Sequence, residues 1–542
     1  MTLRRTLAGL FLVTLIVRAL TAWPLQQPGY FDAYYYVNVA HNLLHGQSLV
    51  EHVVWNFLDN PATIPHPSHL YWMPLSTFLA YTGMWLFGDS YRASHVPFVL
   101  LSSLLPPLAA WLAYHVWRNL RYAWAAGLLT LFSGFYFIYW VTPENWTPFA
   151  LAVDAALVAL YVGLRTGRER YVIAAGLAAG FAHLARADGI LLLPVAVLAI
   201  AAQNTAPNPK LETRNPKPSR SSFIIRHSSL FVLAYFLVMA PWFYRNWQVA
   251  GTPLPTAGTK TIFLRSYDDL FGYGLDLTLR SYLAWGIGPI LRSKLMATLW
   301  NLVILAGALQ FFLAPFAVIG FWQTRRHPLW RPFFVYCAAL VAAMVLVFTL
   351  PSRRGSMLHS AAALIPFACA AVPAGVEATV QRIARWRHTW NVEEAQRFFV
   401  YGFVALAAVI SLFLYAQAIH EPWLGESLLP PWNERGLVYR EVDTWLAEHD
   451  PAAGRLMAVD PPAVHYFTGR EAVVIPNNGV DLIRAVSRQF DVSYLVLEKD
   501  HITPLNGLYD DPESLPGFVL LARFQDAKDN PVYLFHLKRV ER

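Results

Sequence analysis

The stretch YWVTPENWTPFALAVDAALVALY, residues 139–161, indicates the fold class. In it a short polar turn precedes an apolar run, and a helix needs about 20 such residues to cross a bilayer. Comparable runs recur along the chain, so that 56% of its 542 residues are apolar and 14% are charged. A single hydrophobic core stops growing near roughly 250–300 residues. The sequence therefore predicts a polytopic α-helical membrane protein.

The basic residues of the loops indicate how these runs cross the membrane. Lys and Arg outnumber Asp and Glu by 42 to 34. They cluster in short loops, which points to cytoplasmic loops and not to nucleic-acid binding. All clusters lie inside if residues 171–202 form two short spans, divided by a turn in which Arg186 and Asp188 could simply pair with each other. This predicts about eleven spans, with the N-terminus inside and the C-terminus outside. They cover 7–23, 95–117, 122–140, 148–164, 171–202 (two spans), 228–247, 298–322, 333–350, 357–376 and 398–418.

The chain divides into two predicted parts near residue 420. Residues 1–420 form the membrane part, with an external loop at 24–94 and a cytoplasmic linker at 204–227. The first span is interpreted as a retained anchor, because no small-residue cleavage site follows it. In residues 421–542, short β-type runs alternate with helical patterns, which predicts a small external α/β domain. The predicted strands are 455–460, 472–476, 493–498 and 517–524, and the predicted helices are 434–449 and 480–489.

The first acid of the external loop is a candidate functional residue. Asp32 stands in GYFDAYYYVNVAHNLLHG (29–46), at the start of a predicted helix. Helical spacing places Tyr35 or Tyr36 on the same face. Ionisable groups at the edge of a span are costly and are therefore worth testing for function. The alternative is a helix N-cap, worth about 1 kcal/mol, and the sequence favours neither interpretation.

A second acid lies in the short external turn before the run quoted above. Glu144 could form a carboxylate pair with Asp32, suited to general-base chemistry or to a hard divalent cation. The alternative is a solvated loop acid at the interface. Asp154, two to three turns into the following span, is expected to face the interior of the bundle.

Two further motifs supply candidate ligands. His66 and His69, in IPHPSHLYWMPLSTFLA (64–80), are three residues apart and are candidate metal ligands together with Glu144, although a turn at HPSH would leave their geometry open. Residues 71–87 fit an interfacial or re-entrant helix. In LPSRRGSMLHSAAALIPFA (350–368), Arg353 and Arg354 stand at an external span end, against the inside-positive rule. Their forked donors suit a lipid phosphate, or simply the headgroups of anionic lipids.

Together these motifs resemble those of the GT-C superfamily of membrane glycosyltransferases, and within it the protein O-mannosyltransferase and aminoarabinose transferase group. The resemblance covers roughly residues 1–420. It implies that Asp32 is the catalytic base, that Glu144 is the second acid, and that Arg353 or Arg354 meets the lipid phosphate. Tyr35 and His359 are further candidates for substrate binding. Many members carry a second acid where this chain has Ala33.

The expected activity is an inverting transfer of a sugar from a polyprenyl-phosphate donor to an acceptor hydroxyl, on the outer face of the bacterial cytoplasmic membrane. The expected partners are the lipid donor, membrane lipids and an unidentified acceptor, and a divalent metal ion is the candidate cofactor. A transporter or lipid flippase is the alternative, and it predicts charges near the bilayer midplane and related halves. A non-catalytic assembly protein predicts that Asp32 and Glu144 lie more than about 10 Å apart, beyond catalytic contact.

Overall fold

The computed structural model describes residues 2–203, 219–348, 356–387, 390–420 and 429–538. Its first part is helical throughout, with a few short strands in the loop after the first helix. The helices are α1 Leu3–Ala22, α2 Phe31–Leu44, α3 Leu75–Phe87, α4 Tyr91–Ser102, α5 Leu105–Trp117, α6 Leu120–Leu131, α7 Tyr136–Tyr139, α8 Trp146–Thr166, α9 Glu169–Ala185, α10 Leu192–Ala201, α11 Arg220–Ala250, α12 Thr256–Lys260, α13 Leu279–Ala284, α14 Ile287–Ala308, α15 Ala314–Thr324, α16 Trp330–Ala342, α17 Met357–Ser360, α18 Ile365–Trp386 and α19 Val392–Ile419.

Eight of the helical segments within the described ranges are long and apolar enough to cross a membrane, so the chain is a multi-pass membrane protein. They are Leu3–Ala22, Tyr91–Trp117, Trp146–Thr166, Arg220–Ala250, Ile287–Ala308, Trp330–Val347, Ser356–Trp386 and Val392–Ile419. The division of residues 171–202 is confirmed, since α9 and α10 are joined by a 3₁₀ turn at Ala187–Leu191. The number of crossings and their orientation stay predictions.

The predicted span 298–322 consists of two helices. The run 298–322 is interrupted between α14 and α15, where Gln310 and Phe311 have φ angles of 52° and 60°. Left-handed conformations end a helix, and the amide of Gln310 donates to the carbonyl oxygen of Phe132 across the bundle (2.8 Å). Hydropathy alone does not reveal this break, because the turn residues are themselves mostly apolar.

Contacts at the start and at the end of α19 identify the two ends of the helix bundle. At one end Arg121, at the start of α6, lies 3.5 Å from Glu393, at the start of α19. At the other end the hydroxyl of Tyr415, late in α19, donates to the carbonyl oxygen of Thr21, late in α1 (3.0 Å). Because α19 leads on to the C-terminal part of the chain, that part lies at the end of the bundle opposite the basic loops.

The C-terminal part contains a six-stranded mixed sheet covered by helices on both faces. Its helices are α20 Val438–His449, α21 Pro461–Thr468, α22 Val480–Phe490 and α23 Asn506–Asp510. The strands of the chain are β1 Val50–Glu51, β2 Val53–Val54, β3 His66–Pro67, β4 Arg455–Ala458, β5 Ala472–Val474, β6 Val492–Leu497, β7 Phe518–Gln525 and β8 Pro531–Leu537. The sheet order is β2-β5-β4-β6-β8-β7, parallel from β2 to β6 and antiparallel beyond it. The predicted α/β character is confirmed.

The sheet is tied to the membrane part through the external loop. Strand β2 of that loop pairs in parallel with β5, Val53 facing Ala472. Alternate residues of β6 face opposite sides: Tyr494 packs with the α20 and α21 side, and Leu495 with the α22 side. Helix α2 packs on α21, and Asn38 of α2 donates to the carbonyl oxygen of Pro462 (2.8 Å). The helix that carries Asp32 in its first turn is therefore held between the bundle and the sheet.

Helix α18 owes its central position to small residues. A Cβ atom on Gly375 would lie 1.8 Å from the carbonyl oxygen of Phe316 in α15, and one on Gly320 would lie 2.0 Å from that of Ala371. Only glycine allows two helix backbones to approach so closely. This contact fixes the helix that follows α17.

Candidate active site

Three side chains from distant parts of the chain converge at the end of the bundle that faces the sheet. Asp32 is in the first turn of α2, Glu144 immediately precedes α8, and His359 is on α17. His359 Nε2 lies 3.7 Å from Asp32 Oδ2 and 3.4 Å from Glu144 Oε1. One ligand atom from each residue lies within 4.8 Å of the other two. Asp32 and Glu144 therefore lie much closer together than the separation of more than about 10 Å that a non-catalytic assembly protein predicts.

Asp32 does not cap its helix. The N-cap residue of α2 is Tyr30, and no side chain makes a cap hydrogen bond there. The carboxyl group points instead toward His359, with its side chain 24% exposed. Burial raises the pKa of Asp32 to about 7, and the nearby Arg186 guanidinium opposes part of this rise. A carboxyl group that titrates near neutral pH is suited to accept a proton.

Glu144 is fully buried, so the interpretation as a solvated loop acid is wrong. The hydroxyl of Tyr30 donates to Oε2 (3.4 Å), whereas Oε1 accepts no hydrogen bond from any described residue and faces His359. Burial, reinforced by the charge of Asp32, raises the pKa of Glu144 well above its usual value. A buried carboxylate is costly unless a cation or a donor compensates it. Oε1 of Glu144, which accepts no hydrogen bond from the described residues, therefore requires such a compensating group.

An aromatic wall holds the imidazole of His359 in place. Its ring stacks on the indole of Trp146 with centroids 3.9 Å apart and planes at 20°. The indole N–H of Trp146 donates to the hydroxyl of Tyr30 (3.3 Å), and this hydroxyl lies 2.9 Å from that of Thr142. Because Trp146 opens α8 two residues after Glu144, the same turn positions the acid and the imidazole.

Arg186 is the cation of this site and was not among the predicted site residues. The sequence suggested a self-paired turn, and the pair exists: Nε donates to Asp188 Oδ1 (2.9 Å). The guanidinium also reaches the carbonyl oxygen of Ser356 and the hydroxyl of Ser360 (3.4 Å each). Asp188 in turn accepts from Ser360 (2.5 Å). The signal that could have found Arg186 is a charge pair that interrupts an apolar run at the same face as Glu144.

Asp32, Arg186 and His359 line a cavity of about 350 Å³, within the usual range for small-ligand sites. Aromatic and apolar side chains from the loops and helix ends form its remaining walls. The latter include Tyr30, Tyr36, Trp55, Tyr71, Trp72, Phe135, Tyr139, Trp146, Met344, Phe348 and Leu358. Within the described residues, the site therefore combines an acidic cluster, the held guanidinium of Arg186 and an apolar wall.

Tyr35 is not part of the cavity lining, although it was predicted to bind substrate. Its hydroxyl accepts a hydrogen bond from the backbone N–H of His69 (2.7 Å), and its ring packs against Trp72 at 4.6 Å. Neighbouring residues of a helix differ by about 100° in direction. The next tyrosine, Tyr36, consequently lines the cavity.

His66 and His69 do not join the cluster of Glu144, so the structure corrects their prediction as its co-ligands. His66 is in β3, where Nε2 lies 3.0 Å from the carbonyl oxygen of Val53 and 3.5 Å from Glu51. His69 has a φ angle of 62° and lies edge-on to Tyr35. The sequence left the geometry of the HPSH turn open, and in the structure the rings of both histidines pack within the external loop. His359 supplies the imidazole of the cluster instead.

Arg353 and Arg354 lie outside the described residues. Phe348 and Ser356, the described residues nearest to them on either side, both line the cavity. Their contact with a lipid phosphate stays a prediction. Asp154 faces the bundle interior as predicted, since it is fully buried.

The donor set of Asp32, Glu144 and His359 fits a divalent cation. Two carboxylates and one imidazole are ligand types shared by Mn²⁺ and Zn²⁺ sites. The buried Oε1 of Glu144, without a hydrogen-bond donor among the described residues, is the observation that favours a cation.

Comparison with known proteins concerns the fold of the whole chain. No protein-family model matches the chain, and no curated protein sequence matches it. The structure of ArnT from Cupriavidus metallidurans bound to undecaprenyl phosphate matches 98% of this chain and 97% of its own, with a TM-score of 0.57 and 14% identity. The archaeal oligosaccharyltransferase AglB from Archaeoglobus fulgidus, in complex with an inhibitory peptide and a dolichol-phosphate, matches 91% of this chain and 69% of its own, with a TM-score of 0.53 and 13% identity. At these identities the likeness is one of fold, and the chain has the fold of GT-C membrane glycosyltransferases.

Proposed function

We propose that this protein is a membrane glycosyltransferase that moves a sugar from a polyprenyl-phosphate donor to an acceptor hydroxyl. The observation that carries the proposal is the convergence of Asp32, His359 and Arg186 in one cavity, with the buried Glu144 3.4 Å from His359. The shared fold supports it, because ArnT was solved with undecaprenyl phosphate and AglB with a dolichol-phosphate. A site for such a donor needs a base, positive charge for a phosphate and an apolar wall, and this cavity offers all three.

Asp32 acts as the base. The acceptor oxygen attacks the anomeric carbon of the sugar while its proton passes to the carboxylate of Asp32. The bond between the anomeric carbon and the phosphate oxygen breaks, and the polyprenyl phosphate leaves with the bonding electrons. Attack opposite the leaving group inverts the anomeric configuration. The raised pKa of Asp32, about 7, suits this step, since a base is most effective when it titrates near the working pH.

Arg186 stabilises the charge that develops on the phosphate. Its guanidinium is held by Asp188 and by the Ser360 hydroxyl, so it is preorganised before the donor arrives. Fixed positive groups placed where charge develops supply a large share of catalysis. Arg353 and Arg354 are proposed as further phosphate contacts, since they follow Phe348 and precede Ser356 along the chain.

Glu144 and His359 would hold a divalent cation at the wall of this cavity, next to Asp32. Such a cation supplies positive charge to a phosphoryl oxygen and so favours departure of the phosphate. Met344, Phe348 and Leu358 give the cavity an apolar side, which suits the first isoprene units of the lipid. The aromatic rings of Trp55 and Trp72 offer a surface for the sugar.

The reaction is placed on the outer face of the bacterial cytoplasmic membrane. The basic loops lie at the opposite end of the bundle from the cavity, and such loops favour the cytoplasm. A lipid-linked donor agrees with this orientation, because nucleotide sugars stay in the cytoplasm.

A donor panel tests the proposal. The purified full-length chain in detergent is incubated with undecaprenyl-phosphate-linked sugars and a mixture of hydroxyl acceptors, with and without Mn²⁺. We expect at least one donor to release undecaprenyl phosphate, with transfer lost in Asp32→Asn. No release from any donor by folded wild-type protein, or full release by Asp32→Asn, would contradict the proposal.

A further inference from the structure

A second group of metal-ligating side chains lies at the other end of α2. His41 lies in its last turn, His45 is its C-cap residue, and Asp89 stands in the turn between α3 and α4. His41 Nε2 is 3.5 Å from Asp89 Oδ2, and His45 Nε2 is 3.3 Å from the same oxygen. One ligand atom from each residue lies within 4.8 Å of the other two. Along the helix His41 and His45 are about 14 Å and 20 Å from Asp32.

The spacing of these atoms matches that of ligands around one metal ion. With bonds of about 2.0–2.2 Å, two ligand atoms of a tetrahedral zinc ion lie about 3.3–3.6 Å apart. The two distances to Asp89 fall in this range. Histidines four residues apart on a helix share one face, so both Nε2 atoms reach the same carboxylate oxygen.

The tautomer of His45 is also suitable. Its Nδ1 lies 2.9 Å from the carbonyl oxygen of His41 and donates to it. This bond leaves a lone pair on Nε2, the atom that faces Asp89. A ring N–H bonded to a backbone carbonyl is the usual second contact of a metal-binding histidine. The side chains of His41, His45 and Asp89 are 54%, 51% and 42% exposed, so water can complete the coordination.

We propose that His41, His45 and Asp89 bind a divalent transition-metal ion of the zinc class. The ion connects the end of α2 to the turn that begins α4, where Ser90 caps the helix. Its site is separate from the Asp32 cluster and does not depend on the proposed transfer activity. The competing interpretation is a pair of histidine–aspartate contacts with no metal affinity.

Zinc stoichiometry tests this site directly. Full-length protein freed of any histidine tag is dialysed against buffered Zn²⁺, and bound zinc is measured by elemental analysis. The double variant His41→Ala/His45→Ala should lose one equivalent relative to wild type. The variant Asp32→Asn/His359→Ala, tested in parallel, reports any ion held in the cavity. Equal zinc content in wild type and His41→Ala/His45→Ala would overturn the proposal.

A matched control and a milder variant keep the result interpretable. His449 is also an exposed helix histidine whose Nδ1 contacts a carbonyl oxygen four residues earlier (2.9 Å), but it belongs to no such cluster in the described chain. His449→Ala should therefore retain all bound zinc. Asp89→Asn keeps the shape of the side chain and should weaken zinc binding at least about tenfold, since loss of an outer contact alone costs about 10- to 100-fold. Unchanged affinity in Asp89→Asn would remove Asp89 from the site.

Discussion

Replacing Asp32 with asparagine should separate catalysis from stability. The side chain keeps its shape but can no longer accept a proton, and its contact with His359, 3.7 Å away, loses its charge. Loss of a general base typically costs about 10²- to 10⁴-fold in rate. This corresponds to about 3–5 kcal/mol of transition-state stabilisation. The loss should appear in kcat, because Asp32 acts on the acceptor proton and not on the lipid.

The same substitution should not lower the stability of the folded protein, although it lowers the rate of transfer. Burial raises the pKa of Asp32 from 3.8 to about 7, so the folded protein binds this proton more tightly than the unfolded chain does. The stabilising effect of the proton is present at low pH and is lost as the pH rises through about 7. Above that pH, holding the carboxylate ionised costs at most about 4 kcal/mol. Asparagine removes this cost, and with a chelator present Asp32→Asn should melt at the same temperature as wild type or higher at pH 8.

The assay combines two measurements on the same preparation. Release of undecaprenyl phosphate from a labelled donor gives kcat and KM, and thermal unfolding in detergent gives Tm. Asp481→Asn is the control, because it makes the same chemical change on α22 at a side chain that is 97% exposed. It should leave both quantities unchanged. Wild-type turnover in Asp32→Asn, or loss of turnover only together with a fall in Tm, would refute the assignment of Asp32 as the base.

Three further predictions concern the guanidinium of Arg186, the proposed divalent metal ion and Asp460 of the C-terminal part. Arg186→Lys should lower kcat/KM for the lipid donor by roughly 10- to 100-fold, the value of a charge-assisted hydrogen bond, and donor titrations that match wild type would contradict its role. A chelator should reduce turnover in wild type, and Mn²⁺ should restore it there but not in His359→Ala; full turnover in the chelator would exclude a metal requirement. Burial raises the pKa of Asp460 to about 8, so its bound proton stabilises the folded state below that pH and the effect fades as the pH rises. Tm should therefore fall between about pH 4 and 8, and Asp460→Asn should flatten this dependence; equal slopes would show that Asp460 is not responsible.

The sequence predicted those parts of the site that follow from local pattern. The apolar run after Glu144 and the acid after the first span placed both carboxylates at the ends of helices. Which tyrosine faces the cavity depends on the rotation of α2 about its axis, and the spacing allowed Tyr35 or Tyr36. Packing against the sheet fixes this rotation, and it selects Tyr36.

Other features depended on contacts between distant segments. Arg186 forms the pair with Asp188 that the sequence suggested, but its contacts with Ser356 and Ser360 connect positions about 170 residues apart. Strand β2 has two residues, too few for a periodic signal, yet it extends the C-terminal sheet. The break between α14 and α15 has an apolar sequence and is set by backbone conformation.

The most direct measurement of the central claim is the position of a bound lipid phosphate. A cryo-electron microscopy map of the full-length protein with undecaprenyl phosphate would locate it. We predict phosphate density in the cavity beside Arg186, within reach of His359. Density only at the opposite end of the bundle, where Arg118 and Arg165 line a separate pocket of about 310 Å³, would contradict the account.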